Sequence, residues 1–227
     1  MQFSIIIPAL NEAPLIENCL LPLQPLRSVA QIIVVDGGST DDTCALAKPL
    51  TDLVITADKG RARQMNAGAK LASGDILIFL HADTLLPDRA LAIIEARILK
   101  GALWGRFDVR LTGSHPMYLI IGGMMNLRSR LTGIATGDQA IFVTRTLFER
   151  AGGYPELELM EDITLSATLK QTARPACLYS KVSTSPRRWQ KFGIAKTILL
   201  MWSLRLRYCF DKDTHKLARL YSEGRFW

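Results

Sequence analysis

The sequence predicts an α/β domain with a mixed, centrally parallel sheet flanked by helices, followed by a basic helical tail. Over the first hundred residues, apolar β-branched runs alternate with helical segments, as in βαβ units. After Gly101 the pattern changes, and residues 106–111 alternate strictly between polar and apolar side chains. This alternation is typical of a half-buried antiparallel strand. Residues 181–227 contain 11 Lys+Arg and 3 Asp+Glu, whereas residues 1–180 contain 17 and 18.

Hydrophobic periodicity and capping signals locate the elements in order. Buried strands are predicted at 3–9, 31–36, 53–56 and 75–80, and further strands at 106–111, 140–144 and 178–183. Helices are predicted at 11–21, 61–72, 87–99, 117–131, 146–151 and 162–170. Ser39 and Asp42 resemble a capping box, which predicts another helix from there to about Lys48.

The chain has 227 residues, and we expect one domain at 1–190 with a tail at 191–227. The four cysteines are far apart in sequence, so neither a disulfide framework nor a zinc site is indicated. Buried, inert thiols in a reducing compartment are the simplest interpretation. The sequence shows no signal peptide and no apolar run of about 18 residues. We therefore expect a cytoplasmic protein that does not span a membrane.

Acidic side chains follow three strands of the predicted sheet. Glu12 comes after the first strand, Asp36 after the second and Asp83 after the fourth. In parallel sheets the carboxyl ends of the strands meet at one edge, where ligands bind. A carboxylate there accepts hydrogen bonds from a nucleotide or holds a metal ion. One such acid alone could cap a helix, but the series favours a binding site.

Two loops have the composition of a phosphate site. Gly37 and Gly38 follow Asp36, where glycine lets a ligand approach the backbone close to a helix N-terminus. Arg61 and Arg63 lie at a loop-to-helix junction, and their guanidinium groups suit a diphosphate, although a solvated helix face is the alternative. Neither the GxGxxG nor the GxxxxGK[ST] pattern occurs, which argues against dinucleotide binding and P-loop hydrolysis.

Four motifs in order resemble family 2 glycosyltransferases with the GT-A fold. They are residues 4–12 (SIIIPALNE), 34–43 (VVDGGSTDDT), 61–83 (RARQMNAGAKLASGDILIFLHAD) and 160–165 (MEDITL). The subgroup closest in appearance is that of the radical-SAM/selenodomain-associated transferases, and the resemblance covers about residues 1–190. It implies inverting transfer of a sugar from a UDP- or GDP-sugar to an acceptor hydroxyl, with Mn²⁺ or Mg²⁺ as cofactor.

The resemblance also implies roles for individual positions. Asp162, beside Glu161, matches the general base, although both acids could simply favour a helix start. Asp83 matches the last acid of the DxD metal motif, whose first acid is replaced by His81. A neutral histidine can bind Mn²⁺ but adds no negative charge, so His81 either binds the metal, contacts the phosphates or is an ordinary strand-end residue. The nucleotide-sugar site would comprise Pro8, Ala9, Glu12, Asp36, Gly38, Arg61, Asn66, Ala82, Asp83, Gly137, Asp138, Arg188 and Trp189.

The basic end of the chain admits two interpretations. Arg188-Trp189 resembles part of the (Q/R)xxRW element of processive family members. Residues 194–210 mix apolar side chains with Lys196, Arg205 and Arg207. They form either an amphipathic helix on an anionic membrane surface or a helix that packs on the core with a solvated basic face. Nucleic acid is not an expected partner, because the acidic sheet edge would repel phosphate. The acceptor is left open among small molecules, lipid-linked groups and glycans, and the chain could form oligomers.

Two other functions would use the same sheet edge. A sugar-1-phosphate nucleotidyltransferase also needs strand-end acids and a metal. Its usual glycine-rich, cation-bearing loop after the first strand is replaced here by Pro8-Ala9-Leu10-Asn11-Glu12. A non-catalytic module that binds nucleotides or a membrane surface would use Asp36 and would not need Asp162.

Overall fold

The computed structural model describes residues 1–210 and 213–226. Within them, one eight-stranded sheet has the order β3-β2-β1-β4-β7-β6-β8-β5. The strands are β1 (Phe3–Ala9), β2 (Ala30–Asp36), β3 (Leu53–Thr56), β4 (Ile76–Phe79), β5 (Thr84–Leu85), β6 (Trp104–Leu111), β7 (Ile141–Thr144) and β8 (Ala176–Thr184). The helices are α1 (Ala13–Leu20), α2 (Thr43–Ala47), α3 (Arg61–Leu71), α4 (Ala90–Ile98), α5 (Met117–Thr132), α6 (Arg145–Arg150), α7 (Glu161–Thr172), α8 (Arg187–Phe192), α9 (Ile194–Phe210) and α10 (Thr214–Glu223).

The predicted mixed, centrally parallel sheet is confirmed. The first four strands in the sheet order, β3-β2-β1-β4, run parallel to one another. Strand β7 then pairs antiparallel with β4. Every strand and helix predicted within residues 1–190 is present, with ends displaced by up to a few residues. The short strand β5 and the helix α8 were not predicted, whereas α9 and α10 lie within the tail that was predicted to be helical.

Helices cover both faces of the parallel strands, which is why these strands are almost entirely apolar. Successive side chains of a strand point to opposite faces, so β1 contributes to two cores. Ile5 and Ile7 pack in the core that contains Ile16 of α1. Ile6 lies in the other core, which contains Met65 of α3.

The polar face of β6 departs from the sequence prediction. Instead of facing solvent, Arg106 and Asp108 are buried beneath α5. Arg106 and Asp108 form an ion pair, Asp108 also pairs with Arg130 of α5 at 2.8 Å, and Asn126 bonds the main chain of Val109. The strand pairs antiparallel with β7 but parallel with β8. Polar alternation in β6 therefore marks a buried ionic layer, because α5 supplies the partners that water would otherwise supply.

The capping box predicted at Ser39 and Asp42 is wrong. Helix α2 begins at Thr43, and its N-cap Asp42 makes no side-chain capping bond. The hydroxyl of Ser39 instead accepts a hydrogen bond from the main-chain N–H of Asn11 at 2.9 Å. Asp41 accepts one from the N–H of Ala13 at 3.1 Å. The side chains of this loop thus tie it to the loop after β1, which fixes the sheet edge.

The C-terminal helices pack on the rest of the molecule. Leu200 and Leu204 of α9 are buried in a cluster with Leu217 of α10 and with Leu159 and Met160 before α7. The domain boundary predicted between residues 190 and 191 lies inside α8. No helix in the described part of the chain is both long and apolar enough to traverse a bilayer.

Three cysteines can be compared with the predicted set of buried thiols. Cys19 is buried, and burial raises the pKa of its thiol to about 12. Cys44 and Cys177 are partly buried, and all three are free thiols. The side chain of Cys209 lies outside the described residues.

Candidate active site

The carboxyl ends of β1, β2 and β4 lie side by side, as the sequence predicts. They carry Glu12, Asp36 and Asp83 at one edge of the sheet. Ala9, at the end of β1, and Val35 each accept a hydrogen bond from the side-chain amide of Gln64, at 2.8 and 2.7 Å. Gln64 of α3 therefore holds the ends of two strands in register. Pro8 lies beside Ala9 in β1 and pairs with Val35, and Ala82 is buried next to Asp83.

Asp36 is buried and held by the glycine loop that follows it. One of its carboxylate oxygens accepts hydrogen bonds from the N–H groups of Gly38 and Ser39, both at 2.9 Å. Burial raises the pKa of Asp36, but the hydrogen bonds from Ser39 and Gly38 outweigh burial and lower it overall. Gly38 has φ of 91°, a conformation that favours glycine. The loop thus favours the ionised form of Asp36 at the carboxyl end of β2.

Glu12 and Asp83 share a cation from the start of α8. The two terminal nitrogens of Arg187 each lie 2.9 Å from an oxygen of Glu12, and one of them lies 3.0 Å from Asp83. The hydrogen bonds that Arg187 donates to Glu12 are the main reason that the pKa of Arg187 is raised. A guanidinium group therefore bridges two carboxylates that sequence analysis assigned to the nucleotide and metal sites.

Asp162 lies across the edge at the first turn of α7, fixed through both of its carboxylate oxygens. One oxygen accepts the N–H of Gly137 at 2.8 Å and the other accepts the N–H of Ile163 at 2.7 Å. The two bonds set the carboxylate's orientation, and each oxygen retains lone-pair capacity. Asp162 therefore bonds a main-chain N–H in the first turn of α7 and still offers an acceptor for a proton.

His81 connects the strand edge with this acidic side. Its Nδ1 lies 3.4 Å from Asp138, and a Cβ built on Gly137 would lie 2.3 Å from its Nε2. Burial lowers the pKa of His81, but the hydrogen bond with Asp138 and the charges of Asp138 and Asp83 together outweigh burial and raise it. Conversely, burial raises the pKa of Asp138, and His81 lowers it overall. Each of the two side chains thus favours the charged form of the other.

Glu161, beside Asp162, is only 4% exposed. Its pKa is raised to about 7, first by burial and then by the charge of Asp162. Arg61 of α3, 3.9 Å from Glu161, opposes this shift. Arg61, Glu161 and Asp162 therefore form one electrostatic group.

Comparison with known proteins identifies the family. The profile described as "Glycosyl transferase family 2" matches residues 4–147. This chain belongs to that family. The chain is 33% identical over 166 residues to the PGL/p-HBAD biosynthesis glycosyltransferase of Mycobacterium tuberculosis, covering 67% of this chain and 63% of the relative. It is 34% identical over 97 residues to glucosyl-3-phosphoglycerate synthase of the same organism, covering 37% of this chain and 29% of that protein.

Solved structures show that the family 2 chain has a GT-A fold. TarS of S. aureus in complex with UDP-GlcNAc matches with a TM-score of 0.67 and 20% identity, over 82% of this chain and 58% of TarS. The mannosyltransferase PcManGT of Pyrobaculum calidifontis, in complex with GDP-Man and Mn²⁺, matches with a TM-score of 0.61 and 24% identity, over 90% and 60%. The chain spans 63% of the length of the first curated relatives that it matches.

The family 2 resemblance predicts a metal at Asp83 and His81, and the structure allows a test of that fit. Within residues 1–210 and 213–226, no three His, Cys, Asp or Glu side chains converge on one point. Glu12 and Asp83 lie close enough to share one cation, Arg187, and their carboxylate oxygens are the ligand type that Mg²⁺ and Mn²⁺ prefer. His81 is directed to Asp138 and fits a donor to an anion better than a metal ligand.

Three further predicted residues have local structural partners in this family 2 chain. Asn66 donates to and accepts from the main chain of Tyr154, at 2.8 and 2.9 Å, and lines a groove of about 600 Å³ beside β3. The guanidinium of Arg188 stacks on the ring of Tyr221 at 3.3 Å, while Trp189 packs on the cluster that contains Tyr118. The site thus has Arg188 near its rim, whereas Trp189 joins the packing of α5 and α8.

Sequence analysis missed three arginines of the site. Arg187 is the strongest case, although a cation directly after β8 repeats the strand-end pattern that revealed the acids. Arg128 of α5 and Arg205 of α9 lie within electrostatic range of both Asp138 and Asp162. Burial is the main reason that the pKa of Arg128 falls to about 10. These two positions had no local signal, because α5 and α9 reach the site only through tertiary packing.

Proposed function

We propose that this family 2 chain transfers a sugar from a UDP- or GDP-sugar to an acceptor hydroxyl with inversion. The observation that carries the proposal is the arrangement of Glu12, Asp36 and Asp83 at one strand edge with Asp162 fixed across from them. The relatives TarS and PcManGT, named as complexes with UDP-GlcNAc and GDP-Man, support this class of donor. The four motifs together most resemble the radical-SAM/selenodomain-associated subgroup, and we include membership of it in the proposal.

On the donor side, Asp36 would accept hydrogen bonds from the ribose or base. Arg61 and His81 would face the phosphates, where positive charge and hydrogen-bond donors stabilise a leaving diphosphate. A Mn²⁺ or Mg²⁺ ion held by Asp83, with Glu12 nearby, would supply Lewis-acid charge to the same group when bound. Each of these residues comes from a strand end or the helix that follows it.

On the acceptor side, Asp162 would take the proton of the attacking hydroxyl. Its two main-chain hydrogen bonds hold the carboxylate in place without using all of its acceptor capacity. A correctly placed general base contributes about 10²–10⁴ to the rate. One displacement at the anomeric carbon inverts its configuration and needs no covalent intermediate.

Thermal unfolding with UDP, GDP, CDP and ADP, each with and without Mn²⁺, tests the proposal. A ligand present at 100 times its Kd stabilises the folded state by about 2.7 kcal/mol. In the presence of Mn²⁺, we expect UDP or GDP to raise the melting temperature and CDP and ADP to leave it unchanged. In Asp36→Asn, none of the nucleotides should raise it. Asp42→Asn is the matched control, since Asp42 lies in the same loop without a side-chain capping bond. The absence of a shift with every nucleotide would overturn the proposed donor.

The reaction product separates transfer from the nucleotidyltransferase alternative. Sugar transfer releases a nucleoside diphosphate, whereas a nucleotidyltransferase releases pyrophosphate. The loop from Pro8 to Glu12 contains no Lys or Arg, which supports the first reaction. Detection of pyrophosphate from a sugar 1-phosphate and a nucleoside triphosphate would favour the second.

We also propose that α9 rests on an anionic membrane surface. One face of α9 packs on the core through Leu200 and Leu204, but a second apolar face is exposed. That face consists of Leu199, Trp202, Leu206 and Phe210, which are 62, 68, 62 and 85% exposed. Residues 181–210 contain Lys and Arg but no Asp or Glu. Apolar side chains beside cations suit the boundary of an anionic bilayer, where tryptophan is enriched.

Helix α5 adds a second exposed apolar surface. Its exposed apolar residues are Leu119, Ile120, Met124, Leu127 and Leu131. Residues 109–137 also contain no Asp or Glu. The two helices meet through the cluster of Tyr118, Trp189 and Ile194. The exposed apolar residues of α5 therefore enlarge the surface, without acidic side chains, that α9 would place on the lipid.

Vesicle sedimentation tests the membrane contact. We expect binding to vesicles that contain anionic phosphatidylglycerol and much weaker binding to neutral phosphatidylcholine. Trp202→Ser should weaken binding about tenfold, whereas Leu71→Ser, at an exposed position on α3, should not. If the protein does not bind vesicles and instead dimerises as its concentration rises, a second copy of the chain covers this surface.

A further inference from the structure

Arg187 makes the most extensive ion pairing at the sheet edge. Its guanidinium meets Glu12 through two bonds of 2.9 Å and Asp83 through one of 3.0 Å. About half of the Arg187 side chain is exposed. Glu12 and Asp83 are the acids that would approach a nucleotide and a divalent cation. Arg187 therefore holds the carboxylates that the proposed donor complex needs.

The fold builds this contact specifically. The hydroxyl of Thr84 in β5 lies 3.0 Å from that of Thr184 in β8. The N–H of Ser185 then donates to the main-chain oxygen of Asp83 at 3.1 Å, and the N–H of Arg187 donates to the Ser185 hydroxyl at 3.3 Å. The start of α8 is thus tied to Asp83, the residue whose charge Arg187 neutralises. These hydrogen bonds position the main chain of Arg187, so its side chain does not sample the surface freely.

We propose that Arg187 couples the binding of a divalent cation to the binding of the nucleotide. Without the donor, its guanidinium neutralises Glu12 and Asp83 and opposes a second cation there. When the donor binds, its diphosphate offers the guanidinium a new partner, and the carboxylates become available to the metal. This inference rests on the proposed function, with its nucleotide half resting on the proposed donor and its metal half on the proposed cation at Asp83.

The physical basis is exchange between equivalent partners. A guanidinium forms bidentate bonds with phosphate as readily as with carboxylate. Two cations cannot share the same carboxylate oxygens without repulsion, so the metal and Arg187 compete directly. Because linkage is reciprocal, the factor by which the nucleotide improves metal affinity equals the factor by which the metal improves nucleotide affinity. Removing Arg187 should reduce both factors together.

The test measures Mn²⁺ binding directly, with no turnover. Free Mn²⁺ is followed by electron paramagnetic resonance during titration of the wild-type chain and of Arg187→Gln, first alone and then with saturating UDP or GDP. We expect Arg187→Gln to bind Mn²⁺ alone about tenfold more tightly and to lose most of the improvement that the nucleotide brings to the wild type. Its affinity for the nucleotide itself should fall.

Two further variants control for nonspecific effects. Arg27→Gln removes another partly exposed arginine, which pairs with Asp52 at 2.7 Å far from the edge, and should leave Mn²⁺ binding unchanged. Arg187→Lys keeps the charge but loses the bidentate geometry, so its Mn²⁺ affinity should stay close to that of the wild type while its nucleotide affinity falls. Circular dichroism confirms that each variant is folded.

The outcomes separate the two proposals. Equal affinity for Mn²⁺ alone in the wild type and Arg187→Gln would overturn the role of Arg187. If neither UDP nor GDP binds to any of the proteins, the proposed donor fails, and the comparison with Mn²⁺ alone still decides the competition. If Arg187→Gln binds Mn²⁺ more tightly but keeps the full nucleotide effect, Arg187 only blocks the metal site and the coupling is overturned.

Discussion

Two groups of acidic side chains face each other at the sheet edge, and they are neutralised in different ways. The donor-edge acids, Glu12 and Asp83, share the guanidinium of Arg187. The acceptor-side acids, Asp138, Glu161 and Asp162, are held by His81, by main-chain N–H groups and by burial. The first group can exchange its cation without moving the backbone. In the second group, Asp162 is fixed to the main chain by two N–H groups.

This difference separates two kinds of chemistry. A bidentate side-chain cation at a partly open edge suits a place where a charged ligand enters and leaves. A carboxylate held by two N–H groups suits a proton acceptor, because its geometry is set before the substrate arrives. Glu161 shows the consequence of burial, since its pKa rises to about 7 beside the charge of Asp162. Substitutions on the acceptor side should therefore be the most damaging, because the geometry there is fixed.

Replacing Asp162 should give the largest effect. We expect Asp162→Asn to reduce sugar transfer about 10²–10⁴-fold, because an amide cannot take the hydroxyl proton. Asparagine has one oxygen, so one of the two main-chain hydrogen bonds is also lost, which costs about 1–2 kcal/mol of stability. The rate of nucleoside diphosphate release measures the first effect, and chemical denaturation measures the second.

Nucleotide binding supplies the comparison for this variant. The nucleotide-induced rise in melting temperature should survive in Asp162→Asn, because the donor-edge acids are unchanged. Asp88→Asn, at an exposed position after β5, should keep full activity. Full transfer activity in Asp162→Asn would show that another group is the base.

The two acidic groups also differ in how far sequence alone could predict them. Glu12, Asp36 and Asp83 follow from the strand pattern, because parallel strands place their carboxyl ends together. The position of Asp162 rested on the motif resemblance. The contact between Arg187 and Glu12 spans 175 residues and depends on the pairing of β5 with β8, which no local pattern marked.

Local rules failed where tertiary partners replaced solvent or a cap. In β6, the alternation of polar and apolar residues correctly predicted a strand. Arg106 does not face solvent, however, because α5 covers it, and it forms a buried ion pair with Asp108. At Ser39, the hydroxyl bonds Asn11 instead of its own helix. In both cases the residue type signalled a polar interaction, and the identity of the partner depended on packing of distant segments. Fold class is thus readable from periodicity, whereas pairing between elements is not.

Glu161 should give the next largest effect, on the pH dependence of stability. Its pKa is raised to about 7 from 4.5, so the folded state binds this proton more tightly than the unfolded chain does. The resulting stabilisation is complete below pH 4.5 and is lost as the pH rises through 7. From the pKa difference, the loss is at most about 3 kcal/mol. In Glu161→Gln the free energy of unfolding should fall less steeply over this range, as urea denaturation at each pH would show.

Neighbouring charges define the control for this prediction. Asp162 raises the pKa of Glu161, while Arg61 and His81 lower it, and all three remain in the glutamine variant. Glu156→Gln changes a largely exposed glutamate that pairs with Arg63, and should leave the pH profile unaltered. Parallel profiles for the wild type and Glu161→Gln would mean that Glu161 is not protonated in the folded state near neutral pH.

The smallest predicted effect concerns Gly137, where the donor edge and the acceptor side touch. A Cβ at Gly137 would lie 2.3 Å from Nε2 of His81, and the φ of Gly137 is not positive, so the conflict is steric. We expect Gly137→Ala to destabilise the fold by about 1–3 kcal/mol and to push His81 away from Asp138.

The pKa of His81, followed by NMR, then separates overpacking from a change in charge pairing. Asp138 holds this pKa above its ordinary value, so displacement of the ring should lower it. Gly123→Ala is the matched control: it lies within α5 with nothing near its Cβ, and alanine there should stabilise the helix by up to about 1 kcal/mol. If Gly137→Ala leaves the pKa of His81 unchanged, a displacement at Gly137 is not transmitted through His81 from one acidic group to the other. His81 would then belong to the acceptor side alone.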